Sequence, residues 1–161
     1  MYDFAAACTA GARTGEARAV VTGFPGRDEL LHTAALGELP AGTPVRYEVR
    51  SDGATLRGEF TTAFPRGHRG PFRFIVYGDT RSYPDKHKSV VDGMTKEPDI
   101  RFVALSGDLV SNGDKWEQWP EQFFAPAKSF LETMAFWPVR GNHEGSAVLY
   151  RELFDLPGNE Q

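Results

Sequence analysis

The spacing of apolar positions changes near residue 65. Before it, apolar and polar residues alternate. Val45, Tyr47 and Val49 are interleaved with Arg46, Glu48 and Arg50, the period-two pattern of a strand with one wet face. A second alternation sets Leu56 and Phe60 against Arg57 and Glu59. Ser51-Asp52-Gly53-Ala54 between them predicts a hairpin turn in which Gly53 takes a positive φ. Upstream, Ala19-Val20-Val21-Thr22 and Leu30-Leu31-His32-Thr33 predict two more strands, separated by Gly23-Phe24-Pro25-Gly26. Short strands at this spacing predict a small β-sandwich.

Pro65-Arg66-Gly67-His68-Arg69-Gly70-Pro71 is short, stiff and polar, and it sets the predicted boundary between residues 1–66 and 67–161. Beyond it, apolar runs alternate with helical patterns. Three runs predict strands: Phe72 to Tyr77, Arg101 to Ser106, and Phe136 to Arg140. Pro84 to Met94 predicts a helix with Ser82 as candidate N-cap and Val90, Val91 and Met94 on its apolar side. Asp114 to Met134 predicts one or two helices interrupted near Pro120 and Pro126. Ala147 to Phe154 predicts a last short helix, stopped by Leu156-Pro157-Gly158-Asn159. Trp116, Trp119, Phe123, Phe124 and Phe130 are read as core at helical spacing rather than as an aromatic binding surface. Three strand–loop–helix units make an α/β half-domain.

Composition narrows the classes. A chain of 161 residues, 40% hydrophobic and 25% charged, suits one ordinary domain or two small ones. A formal net charge of -4 argues against a broad basic face, so neither nucleic acid nor anionic lipid is an expected partner. The one cysteine, Cys8, rules out an intrachain disulfide and reads as a small buried hydrophobe. No apolar run reaches the roughly 18 residues of a membrane span. Met1-Tyr2-Asp3-Phe4 lacks the basic and apolar regions of a signal peptide.

The candidate chemistry sits where the three later strands end. Gly78-Asp79-Thr80, Gly107-Asp108-Leu109-Val110 and Gly141-Asn142-His143-Glu144 each follow a strand. In an α/β sheet, ligands bind outside the carboxyl ends of the strands. This puts Asp79, Asp108, Asn142 and His143 on one sheet edge. A carboxylate just after a buried strand is costly unless a metal or a hydrogen-bond network pairs it. Two aspartates, an asparagine oxygen and a histidine form an oxygen-rich set suited to Zn, Mn or Fe. Two such metals, roughly 3.5–4 Å apart, clamp the attacking and leaving oxygens of an in-line displacement.

Gly-Asp, a second Gly-Asp 29 residues on, and Gly-Asn-His-Glu 34 residues after that resemble the calcineurin-like metallophosphoesterase superfamily. The upstream module points to its purple acid phosphatase-like branch. There, Leu36-Gly37-Glu38-Leu39-Pro40-Ala41-Gly42-Thr43-Pro44-Val45-Arg46-Tyr47-Glu48-Val49 resembles the E–F corner of a fibronectin type III-like domain, with Tyr47 as its buried tyrosine and Phe60 to Pro65 as its last strand. A full module needs about 100 residues and seven strands, so residues 1–66 are read as incomplete. The implied fold is the N-terminal half of a metallophosphoesterase sheet sandwich of α/β (α+β) class, preceded by a small all-β fibronectin III-like sandwich.

The resemblance implies a phosphatase or phosphodiesterase with a dinuclear centre whose metal-bound hydroxide attacks phosphorus. Asp79 would bind the first metal, Asp108 would bridge both, and Asn142 would bind the second. His143 would contact the phosphate and assist leaving-group protonation. Two departures stand out. The tyrosine that gives purple acid phosphatases their colour is Ser111 here, so no Fe(III)–tyrosinate centre is expected. The residue two after Asp79 is Arg81 where other branches carry histidine. His87 could supply the missing nitrogen, or cap its helix, or lie exposed. Arg81 could reach the substrate phosphate or pair with an acid. Asn112 is read as a turn residue, and His32 and His68 as structural or solvated.

The family completes its site with a later histidine and a Gly-His-x-His motif from a second half of the sandwich, and no such motif follows Glu144 in this sequence. The expectation is a fragment that lacks its C-terminal half, binds metal weakly and hydrolyses little alone. Related proteins are often secreted or periplasmic. The rival reading is a non-catalytic binding or adaptor module with a degenerate half-fold. A nucleotide-binding Rossmann domain is disfavoured, since no Gly-x-Gly-x-x-Gly follows the first of the three strands.

Overall fold

The computed structural model of the chain describes residues 4–10, 13–18, 20–24, 27–51, 53–146 and 148–156. The predicted turn positions Pro25, Gly26 and Asp52, the helix start at Ala147 and the stop at Pro157-Gly158-Asn159 fall outside them. The chain forms two compact units, Met1–Arg69 and Gly70–Gln161.

The first unit holds β1 (Phe4–Ala10), β2 (Arg13–Arg18), β3 (Val20–Gly23), β4 (Leu30–Thr33), β5 (Pro44–Ser51) and β6 (Ala54–Thr61). An antiparallel sheet runs in the order β2-β1-β5-β6, and β3 and β4 form a separate ribbon. The β5–β6 turn has Gly53 at φ +82°. The register sets Arg46 opposite Glu59 and Glu48 opposite Arg57. Ion pairs of 2.8 and 2.6 Å form along that wet face. Tyr47 lies directly across from Gly58, and a Cβ there would meet the Tyr47 hydroxyl at 2.3 Å. Cys8, Ala10 and Val45 form a small buried core, with Leu36, Leu39, Tyr47 and Phe60 packed on it. Leu56, which the alternation would bury, is exposed. Strands β1 and β2 carry no clear pattern because β1 is rich in alanine, a weak strand former with little side chain to mark a face.

The second unit runs β7 (Arg73–Tyr77), α1 (Pro84–Met94), β8 (Ile100–Leu105), a π-helical turn at Trp119–Phe124, α2 (Ala125–Leu131), β9 (Ala135–Pro138), a 3-10 turn at Asn142–Glu144 and α3 (Val148–Leu153). The three strands are parallel in the order β7-β8-β9. Tyr77, Leu105 and Pro138 are register partners, so the carboxyl ends are level. Ile75, Tyr77, Val103, Leu105 and Phe136 face the helices. There they join Val91, Trp119, Phe123, Ala127, Phe130, Tyr150 and Phe154 in the core. Alternate residues on the opposite face are also apolar, as parallel strands usually are. Phe74, Val76 and Trp137 are exposed there, and Phe74 stacks on Phe102 with ring centroids 5.0 Å apart.

Helix α1 opens differently from the sequence pattern. Tyr83 occupies the N-cap position without a side-chain cap bond, and Pro84 supplies the first turn. Ser82, the predicted cap, lies one residue outside at φ +78°. Pro126 does not split the later helix but sits in the first turn of α2, where its missing N–H is tolerated. No helix among the described residues is long and apolar enough to cross a membrane.

Candidate metal centre

The loops leaving β7, β8 and β9 are bonded to one another. Asp79 N–H donates to the Gly107 carbonyl at 2.9 Å, Thr80 N–H to the Asp108 carbonyl at 3.0 Å, and Gly113 N–H to the His143 carbonyl at 2.7 Å. Asp79 and Asp108 adopt φ +55° and +56°, the left-handed region that aspartate tolerates better than most residues. Each such position costs about 1–3 kcal/mol and persists only where the surroundings impose it. Both turns follow glycine for steric reasons. A Cβ at Gly78 would lie 2.2 Å from Ser106 Oγ, and one at Gly107 would lie 2.6 Å from the Gly141 nitrogen.

These turns bring the two aspartates together. The Arg81 guanidinium bonds Asp79 through Nη1 and reaches Asp108 Oδ2 at 3.1 Å. Asp108 Oδ1 accepts the His143 N–H at 3.1 Å. Burial pushes the Asp108 carboxyl up, but the His143 N–H and the Arg81 guanidinium outweigh it and hold the group below the usual carboxylate range. His143 Nδ1 donates to the Ser111 carbonyl at 2.8 Å. That leaves Nε2 as the outer ring nitrogen. Asn142 is exposed at the start of the 3-10 turn. A cleft of about 260 Å3 adjoins Asp79 and Arg81 and is lined further by Tyr83, Lys86 and His87.

The sequence profile described as calcineurin-like phosphoesterase matches residues 72–160, more than half of the chain. The chain belongs to the calcineurin-like phosphoesterase family. No curated protein shows a significant match to it.

Members of this family usually bind divalent metals, and family membership points to a hydrolase of phosphoric esters. The donor chemistry here can be tested against such an ion. Asp79 and Asp108 already share one cation, the Arg81 guanidinium, so their carboxylates form a cradle for positive charge. Their oxygens, with that of Asn142, suit a hard or borderline divalent ion. Among the described residues, no three His, Cys, Asp or Glu side chains converge as a ready metal-binding group. The residues therefore fit part of a metal site, and Arg81 must move aside for an ion to bind both aspartates.

His87, the further nitrogen suggested by the sequence, is committed elsewhere. It is buried in α1, with Nδ1 donating to the Gln122 carbonyl at 2.9 Å and Nε2 3.2 Å from the Tyr77 hydroxyl. A carbonyl can only accept, so Nδ1 carries the proton and the Nε2 lone pair accepts from the Tyr77 hydroxyl. With both nitrogens engaged, His87 ties α1 to β7 and to the π-helical turn. Burial lowers its pKa, while the Gln122 carbonyl works the other way.

Two residues of the site went unmarked in the sequence pattern. Gln122 Oε1 accepts from Ser111 N–H at 2.8 Å and Ser111 Oγ at 3.1 Å, so it steadies the carbonyl that orients His143. Glu144 is fully buried. Its carboxylate accepts from Leu109 N–H at 2.7 Å, Asp108 N–H at 3.0 Å and Gly141 N–H at 2.5 Å. The signal for Glu144 was present in the spacing Gly141-x-x-Glu144, the reach-back geometry of a capping box.

Proposed function

We propose that this sheet edge is the amino-terminal part of a dinuclear phosphoesterase site of the purple acid phosphatase-like branch. Asp79 would hold the first metal, Asp108 would serve both, and Asn142 would bind the second. The observation that carries this reading is the single cation shared by Asp79 and Asp108 on level strand ends. Bound metals would neutralise phosphate charge and acidify water. His143 is held by the Ser111 carbonyl at Nδ1, which suits Nε2 to carry a proton toward a leaving oxygen. Arg81, displaced from the aspartates, would turn its guanidinium to the phosphate. Iron, zinc and manganese all suit these donors.

Residues 67–161 are read as the catalytic half-domain, with further nitrogen donors coming from a second sheet layer. The exposed apolar face of Phe74, Val76 and Trp137 supports that reading. Residues 1–66 are read as a fibronectin III-like module, supported by the antiparallel order β2-β1-β5-β6 and by Tyr47 lying over Gly58. The test is Mn2+-dependent hydrolysis of p-nitrophenyl phosphate by the protein. Asp108→Asn and His143→Ala must each abolish turnover. Unchanged rates in either variant overturn the assignment.

A further inference from the structure

We infer that Glu144 is a positioning residue that presets the bridging aspartate before any metal arrives. The inference rests on the metal-site reading above. Asp108 needs a left-handed backbone, which opposes its own preference. Three N–H groups that must converge for that turn all point at one carboxylate: Asp108 and Leu109 from the β8 loop, and Gly141 from the β9 loop. A fourth, Val110 N–H, lies 3.5 Å away. In return, Asp108 Oδ1 receives the His143 N–H of the loop that carries Glu144. Two carboxylates thus each bind the other's loop backbone, and the pair sets the separation of Asp108 from Asn142.

The clamp is built for close approach. A Cβ at Gly141 would stand 2.2 Å from Asp108 Oδ1, and one at Gly113 would stand 2.5 Å from the Glu144 backbone. A carboxylate with no exposure is tolerated only when its oxygens are saturated with donors, and backbone N–H groups are strong ones for an ionised acceptor. Glutamine cannot replace it. Its oxygen can keep Leu109 N–H, but its NH2 then faces the N–H groups of Asp108 and Gly141, donor against donor. Groups that orient metal ligands from behind typically change metal affinity by about 10–100-fold when mutated.

The test has two arms. In the first, Mn2+ binding to the whole chain is followed by electron paramagnetic resonance for the wild type, Glu144→Gln and Asp108→Asn. The expected result is affinity weakened by about 10–100-fold in Glu144→Gln and binding lost in Asp108→Asn. Loss in Asp108→Asn with wild-type affinity in Glu144→Gln overturns this inference and leaves the metal site standing. Wild-type protein that binds no Mn2+, or equal binding in all three proteins, overturns both.

The second arm needs only wild-type protein, and it decides alone if Glu144→Gln does not fold. Amide resonances of Leu109 and Gly141 are followed by NMR before and during Zn2+ addition. Downfield, exchange-protected amides in metal-free protein support presetting by Glu144. Amides that become protected only when Zn2+ is added overturn it.

Discussion

Gly141→Ala should disable the candidate metal centre by a purely steric route. Gly141 has an extended backbone, φ -96° and ψ -175°, so alanine meets no conformational objection there. The obstacle is Asp108. The new methyl would lie 2.2 Å from its Oδ1 and 2.5 Å from its nitrogen, whereas ordinary contact begins near 3.4 Å. The Asp108 turn must retreat by about 1 Å, and overpacking of this kind typically costs about 1–3 kcal/mol. In a unit of this size, each kcal/mol lowers Tm by about 4–8 °C. Metal–ligand distances hold within about 0.2 Å, so the retreat also removes Asp108 from a shared cradle. The assay is thermal unfolding by circular dichroism with a parallel Mn2+ titration. Gly93→Ala is the control: it lies in α1 with nothing within 4 Å of its Cβ, so it should gain roughly 0.5–1 kcal/mol. Gly141→Ala with wild-type Tm and Mn2+ affinity would refute the packing of the two loops.

Three further outcomes follow from the same geometry. Arg81→Gln removes the cation that competes for Asp79 and Asp108, worth ~1 kcal/mol for a partly solvated pair; Mn2+ affinity should rise about fivefold, and a fall would contradict the stand-in role. His87 has a folded pKa depressed below its unfolded value near 6.5. Its stabilising contribution is therefore complete above that value and is lost as pH falls toward the folded pKa, at no more than about 1.4 kcal/mol per pH unit. Urea unfolding across pH 7.5 to 5 should show that loss in wild type and a flatter profile in His87→Gln; parallel profiles would show that His87 is not buried neutral. Phe74→Thr with Trp137→Thr should reduce binding of a hydrophobic dye while shifting Tm little, because both side chains face outward; undiminished dye binding would mean that another surface is responsible.

The strand ends were legible because parallel strands write continuous apolar runs and glycine punctuates them. The bounds of α1 follow from Pro84 at its start and Val91 on its buried side. Other features depended on contacts that local pattern does not encode. Ser82 has the chemistry of a cap, yet its left-handed backbone carries it out of the helix. His87 bonds a carbonyl that is 35 residues away in sequence. Glu144 stands in the Gly141-Asn142-His143-Glu144 motif, but its bonds to the β8 loop span 35 and 36 residues and leave no local pattern. The alanines of β1 left no hydrophobic signature, although the strand is central to its sheet.

Asp79 and Asp108 are proposed to form a joint site for a divalent cation. Calorimetric titration of Mn2+ into the wild-type chain and into Asp108→Asn tests it most directly. Weak but saturable binding is expected from the wild type and none from the variant. Equal heats from both proteins, or no heat from the wild type, would contradict it.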